Sequence, residues 1–84
     1  MHDPGESMGR QELREKLRAI VAEVSEVDDV PDSKPFKDLG IDSMMAIEIV
    51  AEVERTFRIK IPEEELEQIT NLDSVVALAE AKLA

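Results

Sequence analysis

Residues 38–57 read Asp-Leu-Gly-Ile-Asp-Ser-Met-Met-Ala-Ile-Glu-Ile-Val-Ala-Glu-Val-Glu-Arg-Thr-Phe: a turn, then one unbroken helical period. Successive helical residues rotate by about 100°. Counted from Ser43, the residues Ala46, Ile49, Val50, Val53 and Phe57 gather on one side, the face expected to enter a core. Met44, Ile47, Glu48, Ala51, Glu52 and Arg55 lie on or beside the opposite side. Gly40 permits a tight or positive-φ turn just before the helix. Asp42 is a good N-cap, because its carboxylate can accept a hydrogen bond from a free amide of the first turn. Ser43 then opens the helix, with its hydroxyl at the helix mouth. Unpaired amides point outward there, and the helix dipole favours anions by about 0.3–1 kcal/mol. A phosphate attached to Ser43 would sit in favourable surroundings. On spacing alone, the alternative is that Ser43 is a small polar residue beside a cap.

Upstream, Leu13, Leu17, Ile20, Val21 and Val24 form one stripe of a helix from about Gly9 to Val24. Between Ser25 and Asp42 the period breaks. Pro31 and Pro35 interrupt any helix, and Asp28, Asp29, Asp32 and Ser33 favour turns. Such a long loop is unusual in a small domain, and Phe36, Leu39 and Ile41 are the anchors expected to hold it down. Downstream, Pro62 opens a short acidic helical turn from Glu63 to Ile69, since proline suits a first helical position. Asn71 or Asp73 caps a last helix ending near Leu83, with Val75, Val76, Leu78, Ala79 and Leu83 inward. Thr56 to Ile61 comes nearest to a strand and is too short to build a sheet. The fold expected is all-α: a small antiparallel four-helix bundle, three helices longer and one short, with a long loop between the first and second. Residues 1–8 show no apolar period and read as a flexible tail, leaving residues 9–84 as the domain.

Composition removes most catalytic chemistries. The 84 residues include no cysteine and a single histidine, His2, so there is no raw material for a disulfide, a Cys-ligated zinc, a protein thiol nucleophile or a His-based triad. The net charge is −10, and residues 1–18 carry acids and bases in equal number, so the whole excess falls in residues 19–84. That field repels nucleic acid and anionic membrane surfaces, and attracts a partner with a basic patch. No apolar run approaches the roughly 20 residues of a membrane span, and the N-terminus lacks the pattern of a secretory signal. A cytoplasmic protein is expected, and a monomer. Asp28 and Asp38 do not start an EF-hand pattern, so no dedicated metal site is expected.

The segment Asp38-Leu39-Gly40-Ile41-Asp42-Ser43-Met44 resembles the centre of the acyl carrier proteins, the phosphopantetheine-binding carrier family. Its triplet Asp42-Ser43-Met44 stands where that family has Asp-Ser-Leu. Glu48, Ile49-Val50, Glu54, Phe57, Ile61-Pro62, the acidic run Glu63-Glu64-Glu65 and Ile69-Thr70 follow in register, so the resemblance covers about Leu13 to Leu83. It implies that Ser43 accepts a 4′-phosphopantetheine arm from coenzyme A, added by a phosphopantetheinyl transferase, with Asp42 capping the helix beside it. The arm's thiol would hold acyl groups as thioesters, so a chain without cysteine could carry acyl cargo and be a substrate of other enzymes, not a catalyst. Partners implied are acyltransferases, ketosynthases and other acyl-processing enzymes with basic docking patches.

The face holding Met44, Ile47, Glu48, Ala51 and Arg55 then reads as a docking surface, with apolar contact for affinity and carboxylates for orientation. Three positions depart from the fatty-acid carrier pattern: Met45 where an acid is usual, Ile41 where a small residue is usual, and Arg55 where the acids usually continue. They favour a specialised pathway, such as polyketide assembly, over housekeeping fatty-acid synthesis. The missing Gly-Gly-His-Ser pattern argues against a peptidyl carrier. The competing reading from another class is a non-covalent acidic helical adaptor that docks through the Met44–Arg55 face with no prosthetic group.

Overall fold

The computed structural model describes residues 9–83, so the expectation of a tail over residues 1–8 lies outside the described residues. The chain forms helix α1 (Arg10–Ser25), a one-turn 3₁₀ helix (Phe36–Leu39), α2 (Ser43–Phe57), a second 3₁₀ helix (Glu63–Gln68) and α3 (Leu72–Leu83). No strand occurs among the described residues. This is the expected all-helical bundle of three longer helices and one short, with one unpredicted 3₁₀ turn inside the long loop.

Helix α1 is the centre of the bundle, packing against both α2 and α3. Its stripe of Leu13, Leu17 and Val21 is buried, whereas Ile20 and Val24, at the margin of the same stripe, are half-buried. Ile49, Val50 and Val53 of α2 and Leu72, Val75, Val76, Leu78 and Ala79 of α3 complete the helical core. Burying one such aliphatic side chain contributes about 1.5–3 kcal/mol. That term holds the bundle together.

The ends of the helices follow local chemistry. The α1 helix ends where Glu26 takes a left-handed φ of +61°, and α2 ends at Arg58 with φ +57°. The start of α3 is capped by Asn71, not Asp73. Ser74 N–H donates to Asn71 Oδ1 (2.8 Å), while Asn71 N–H donates back to Ser74 Oγ (3.0 Å). Asp73 falls in the first turn instead, where its charge suits the helix dipole. The acidic helix over Glu63–Gln68 is 3₁₀, not α; Pro62 caps it, and Ile69 lies just beyond. Leu83 is 45% exposed, not inward, because it occupies the last turn of α3, where no element among the described residues covers it.

The long loop is tied down more firmly than its sequence suggests. Phe36 and Ile41 are buried and Leu39 half-buried, as expected of anchors, but the deepest anchor is Val30, at 1% exposure. A set of charges closes over it. Arg18 donates through Nη2 to Asp32 Oδ1 (2.6 Å) and through Nη1 to the Val30 carbonyl oxygen. Arg14 Nη1 donates to Asp73 Oδ1 (2.5 Å), and Asp73 N–H donates to the Asp32 carbonyl oxygen (3.0 Å). Phe36 N–H donates to the Thr70 carbonyl oxygen (2.8 Å), and Asn71 Nδ2 to that of Ser33 (3.3 Å). These bonds fasten the loop to α1 and to the start of α3, and so fix the approach to α2.

Candidate functional site

The site begins at the turn before α2. Gly40 has φ +81°, a left-handed conformation open to glycine without steric cost, and its N–H closes the first 3₁₀ helix on the Lys37 carbonyl oxygen (3.2 Å). Ile41 N–H donates to the Phe36 carbonyl oxygen (3.0 Å), and the buried Ile41 side chain pins the turn to the core. Asp42 is extended, and its Oδ1 accepts from Met45 N–H at 2.9 Å, the cap expected from the sequence. Its carbonyl oxygen accepts the first intrahelical bond from Ala46 N–H (2.9 Å).

Ser43 is therefore the first residue of α2, and it is exposed. With Met45 N–H taken by the cap, the Ser43 and Met44 amides remain at the open end of the helix, where an anion is favoured. Two open grooves meet at Ser43. One, of about 340 Å³, runs between α2 and the second 3₁₀ helix and is lined by Ala46, Ile47, Val50, Leu66 and Ile69 with Glu67. The other, of about 290 Å³, runs back toward the long loop past Phe36, Lys37, Ile41 and Thr70. A hydroxyl at a helix N-terminus, free of packing and flanked by apolar grooves, has the room and the electrostatics to hold a flexible arm joined through a phosphate. The residues present thus fit such a group. Among the described residues no cluster of metal-ligating side chains occurs.

The other singled-out residues fall as the helical count places them. Met44 is 76% and Ile47 55% exposed, and Glu48, Ala51 and Arg55 are exposed on the same face. Two neighbours are arranged in a way the sequence did not reveal. Glu54 turns away from that face and accepts from Ile61 N–H through Oε2 (2.7 Å), bracing the turn after α2. The second 3₁₀ helix is held to α3 by Lys82, whose Nζ lies 2.9 Å from Glu65 Oε1 and donates to Oε2 at 3.2 Å. Sequence reasoning missed both contacts. The signal for the first was an acid three residues from Phe57 on an otherwise inward flank.

Residues 15–79 match the family model described as "Phosphopantetheine attachment site". Among curated relatives, an anthracycline acyl carrier protein, DauA, of Streptomyces sp. is 40% identical over 74 residues, which are 86% of this chain and 87% of that one. A non-reducing polyketide synthase, dbaI, of Emericella nidulans is 34% identical over 67 residues, 77% of this chain, but the chain spans only 3% of that protein's length. Among solved structures, BlmI, a type-II acyl carrier protein of Streptomyces verticillus involved in bleomycin biosynthesis, superposes with a TM-score of 0.81 at 28% identity, covering 95% of this chain and 96% of that one. A chain in the structure of the ishigamide ketosynthase/chain length factor superposes with a TM-score of 0.76 at 28% identity, covering 86% of this chain and 94% of its own. The chain belongs to the phosphopantetheine-binding acyl carrier protein family, whose members are carriers and not catalysts.

Proposed function

We propose that Ser43 is the attachment point of the arm and that the chain shuttles acyl intermediates among the enzymes of a polyketide-type pathway. The observation that carries this reading is the exposed Ser43 hydroxyl at the mouth of α2, between two grooves, at the centre of the stretch that matches the family. When bound, 4′-phosphopantetheine supplies a thiol that holds an acyl group as a thioester.

The chain's own residues do the rest. On a phosphopantetheinyl transferase, Ser43 Oγ would attack the pantetheine-bearing phosphorus of coenzyme A, a new phosphorus–oxygen bond forming as the pyrophosphate P–O bond breaks; the adenosine bisphosphate half would depart and the hydroxyl proton would pass to a base of the transferase. Asp42 holds the first turn of α2 in place, which fixes where that oxygen points. The amides of Ser43 and Met44 and the dipole of α2 accommodate the phosphodiester's charge. The apolar walls of the two grooves give the arm and its cargo a surface to rest on.

The polyketide direction draws on Met45, Ile41 and Arg55, which depart from the fatty-acid pattern, and on the similarity to DauA and BlmI. A ketosynthase is the first partner to expect, in keeping with the carrier-like chain found with the ishigamide ketosynthase/chain length factor. Acyltransferases belong to the same set. A cytoplasmic monomer suits such a shuttle, and no helix among the described residues is long and apolar enough to cross a membrane.

The test is intact-mass spectrometry after incubation with coenzyme A and a broad-specificity phosphopantetheinyl transferase. The wild type gains the mass of one arm and Ser43→Ala gains none. A wild type that stays bare while a control carrier is loaded refutes the proposal and leaves the non-covalent adaptor in its place.

A further inference from the structure

The docking face of α2 is not uniformly acidic. Counted from Met44, the residues Ile47, Glu48, Ala51, Glu52 and Arg55 stand three, four, seven, eight and eleven positions on, the register of a single helical stripe. Three carboxylates belong to this helix, and they are used differently. Glu54 is turned inward onto Ile61 N–H. Glu52 Oε1 is held by Arg55 Nη2 at 2.9 Å. Glu48 is exposed and has no cation within ion-pair distance among the described residues, so it is the one α2 carboxylate offered outward uncompensated.

Beyond it the sign changes. Arg55 is 74% exposed and gives Glu52 only one of its nitrogens, in a weak surface pair. The remaining guanidinium donors face outward. Arg58, the C-cap of α2, and Lys60 are exposed, and neither has a carboxylate within ion-pair distance among the described residues. Glu48 and Arg55 are seven residues apart, which on a helix means the same face and about 10 Å of separation along the axis. Arg55 lies about 18 Å along the axis from Ser43.

We propose that the carrier docks through this two-signed strip. The enzyme that receives its cargo then presents an apolar seat for Met44 and Ile47 beside the entrance for the arm. It places a basic group against Glu48 and an acidic group against Arg55 and Arg58, two helical turns farther from the entrance. Charge complementarity of this kind fixes the direction in which α2 lies on the partner and rejects enzymes whose docking patch is basic throughout. The proposal rests on the carrier reading, because only an arm at Ser43 gives the strip an entrance to be measured from.

The experiment separates the two. Wild type, E48K and R55E/R58E are loaded with a coenzyme A analogue that bears a thiol-reactive end, and each is checked by intact mass. A wild type that gains no mass refutes the carrier reading itself. Equal amounts of loaded carrier are then cross-linked to the ishigamide ketosynthase/chain length factor at low and high salt. Both reversals are expected to slow cross-linking by about tenfold at low salt, with the differences shrinking as salt screens the strip. A wholly basic partner surface would instead favour the more negative R55E/R58E, so an unchanged or faster rate for that variant overturns the proposal. So does a variant whose melting temperature falls while its cross-linking rate holds, because the arginines then serve only the C-terminal end of α2.

Discussion

Two sides of this small bundle spend their charges in opposite ways. Around Asp32, cations and anions alternate and touch. Arg18 reaches Asp32 at 2.6 Å and the Val30 carbonyl oxygen, and Arg14 reaches Asp73 at 2.5 Å. The hydrogen bond to Asp73 raises the Arg14 pKa, and those to Glu15 and Asp32 raise that of Arg18. A raised pKa on a base means that the stabilisation it brings is fully present below the base's ordinary value and is lost as pH rises through the lifted one. Around Ser43 the arrangement is reversed. Met44, Ile47 and Glu48 stand exposed, Glu67 of the second 3₁₀ helix lines a groove with Ser43, and Glu63 and Glu64 are exposed on that same 3₁₀ helix. The first side holds a long loop still. The second is left exposed, as the proposed docking face requires. What a net charge of −10 means for this chain is therefore decided by pairing, not by count.

If that contrast is right, equivalent damage has unequal effects on the two sides. The largest difference is expected between Val30→Ala and Met44→Ala. The first leaves a cavity under the loop and costs about 2–3 kcal/mol in chemical denaturation. The second stays within about 0.5 kcal/mol. Equal costs would mean that Val30 does not anchor the loop. Next come the arginines. Arg18→Ala removes bonds to Asp32 and to a backbone carbonyl and costs about 1–2 kcal/mol, whereas Arg55→Ala removes a surface pair and costs less than about 0.5 kcal/mol. The cap at the boundary between the sides is intermediate. Asp42→Ala is expected to cost about 1 kcal/mol and to fray the first turn of α2, read as faster amide exchange at Met45. The smallest effect is that of salt. The melting temperature of the wild type should rise with sodium chloride, because screening relieves more repulsion than it weakens pairing. The rise should steepen in Asp32→Asn, where a latch contact sensitive to salt is gone, and flatten in E63Q/E64Q. A melting temperature unchanged by salt in all three would erase the distinction.

The helices were legible because their signals are local and periodic. The stripe of Leu13, Leu17 and Val21, the Asp42 cap and the inward face Ile49, Val50, Val53 are each written within a few residues, and the structure bears them out. The orientation of the Met44–Arg55 face followed from the same count. What stayed hidden depends on partners far along the chain. Val30 sits between acids and a proline with no period to mark it, and its burial comes from Arg18 and the start of α3 closing over the loop. The choice of Asn71 over Asp73 as cap turned on a reciprocal bond with Ser74 that two good capping residues on either side of Leu72 could not decide. Leu83 continues the apolar period of α3 beyond the cover of the other described elements, which is why its exposure contradicts its spacing. The compensation of Glu52 by Arg55 was visible only as a departure in charge. That Glu54 turns inward was not visible at all.

The proposed carrier role turns on one hydroxyl, that of Ser43. Its most direct test is fragmentation mass spectrometry of the protein after loading by a broad-specificity phosphopantetheinyl transferase, reading which residue bears the added group. The modification is expected on the peptide that contains Ser43 and on that residue alone. An arm found on Ser25, Ser33, Thr70 or Ser74, or on no residue of a chain exposed to an active transferase, would contradict it.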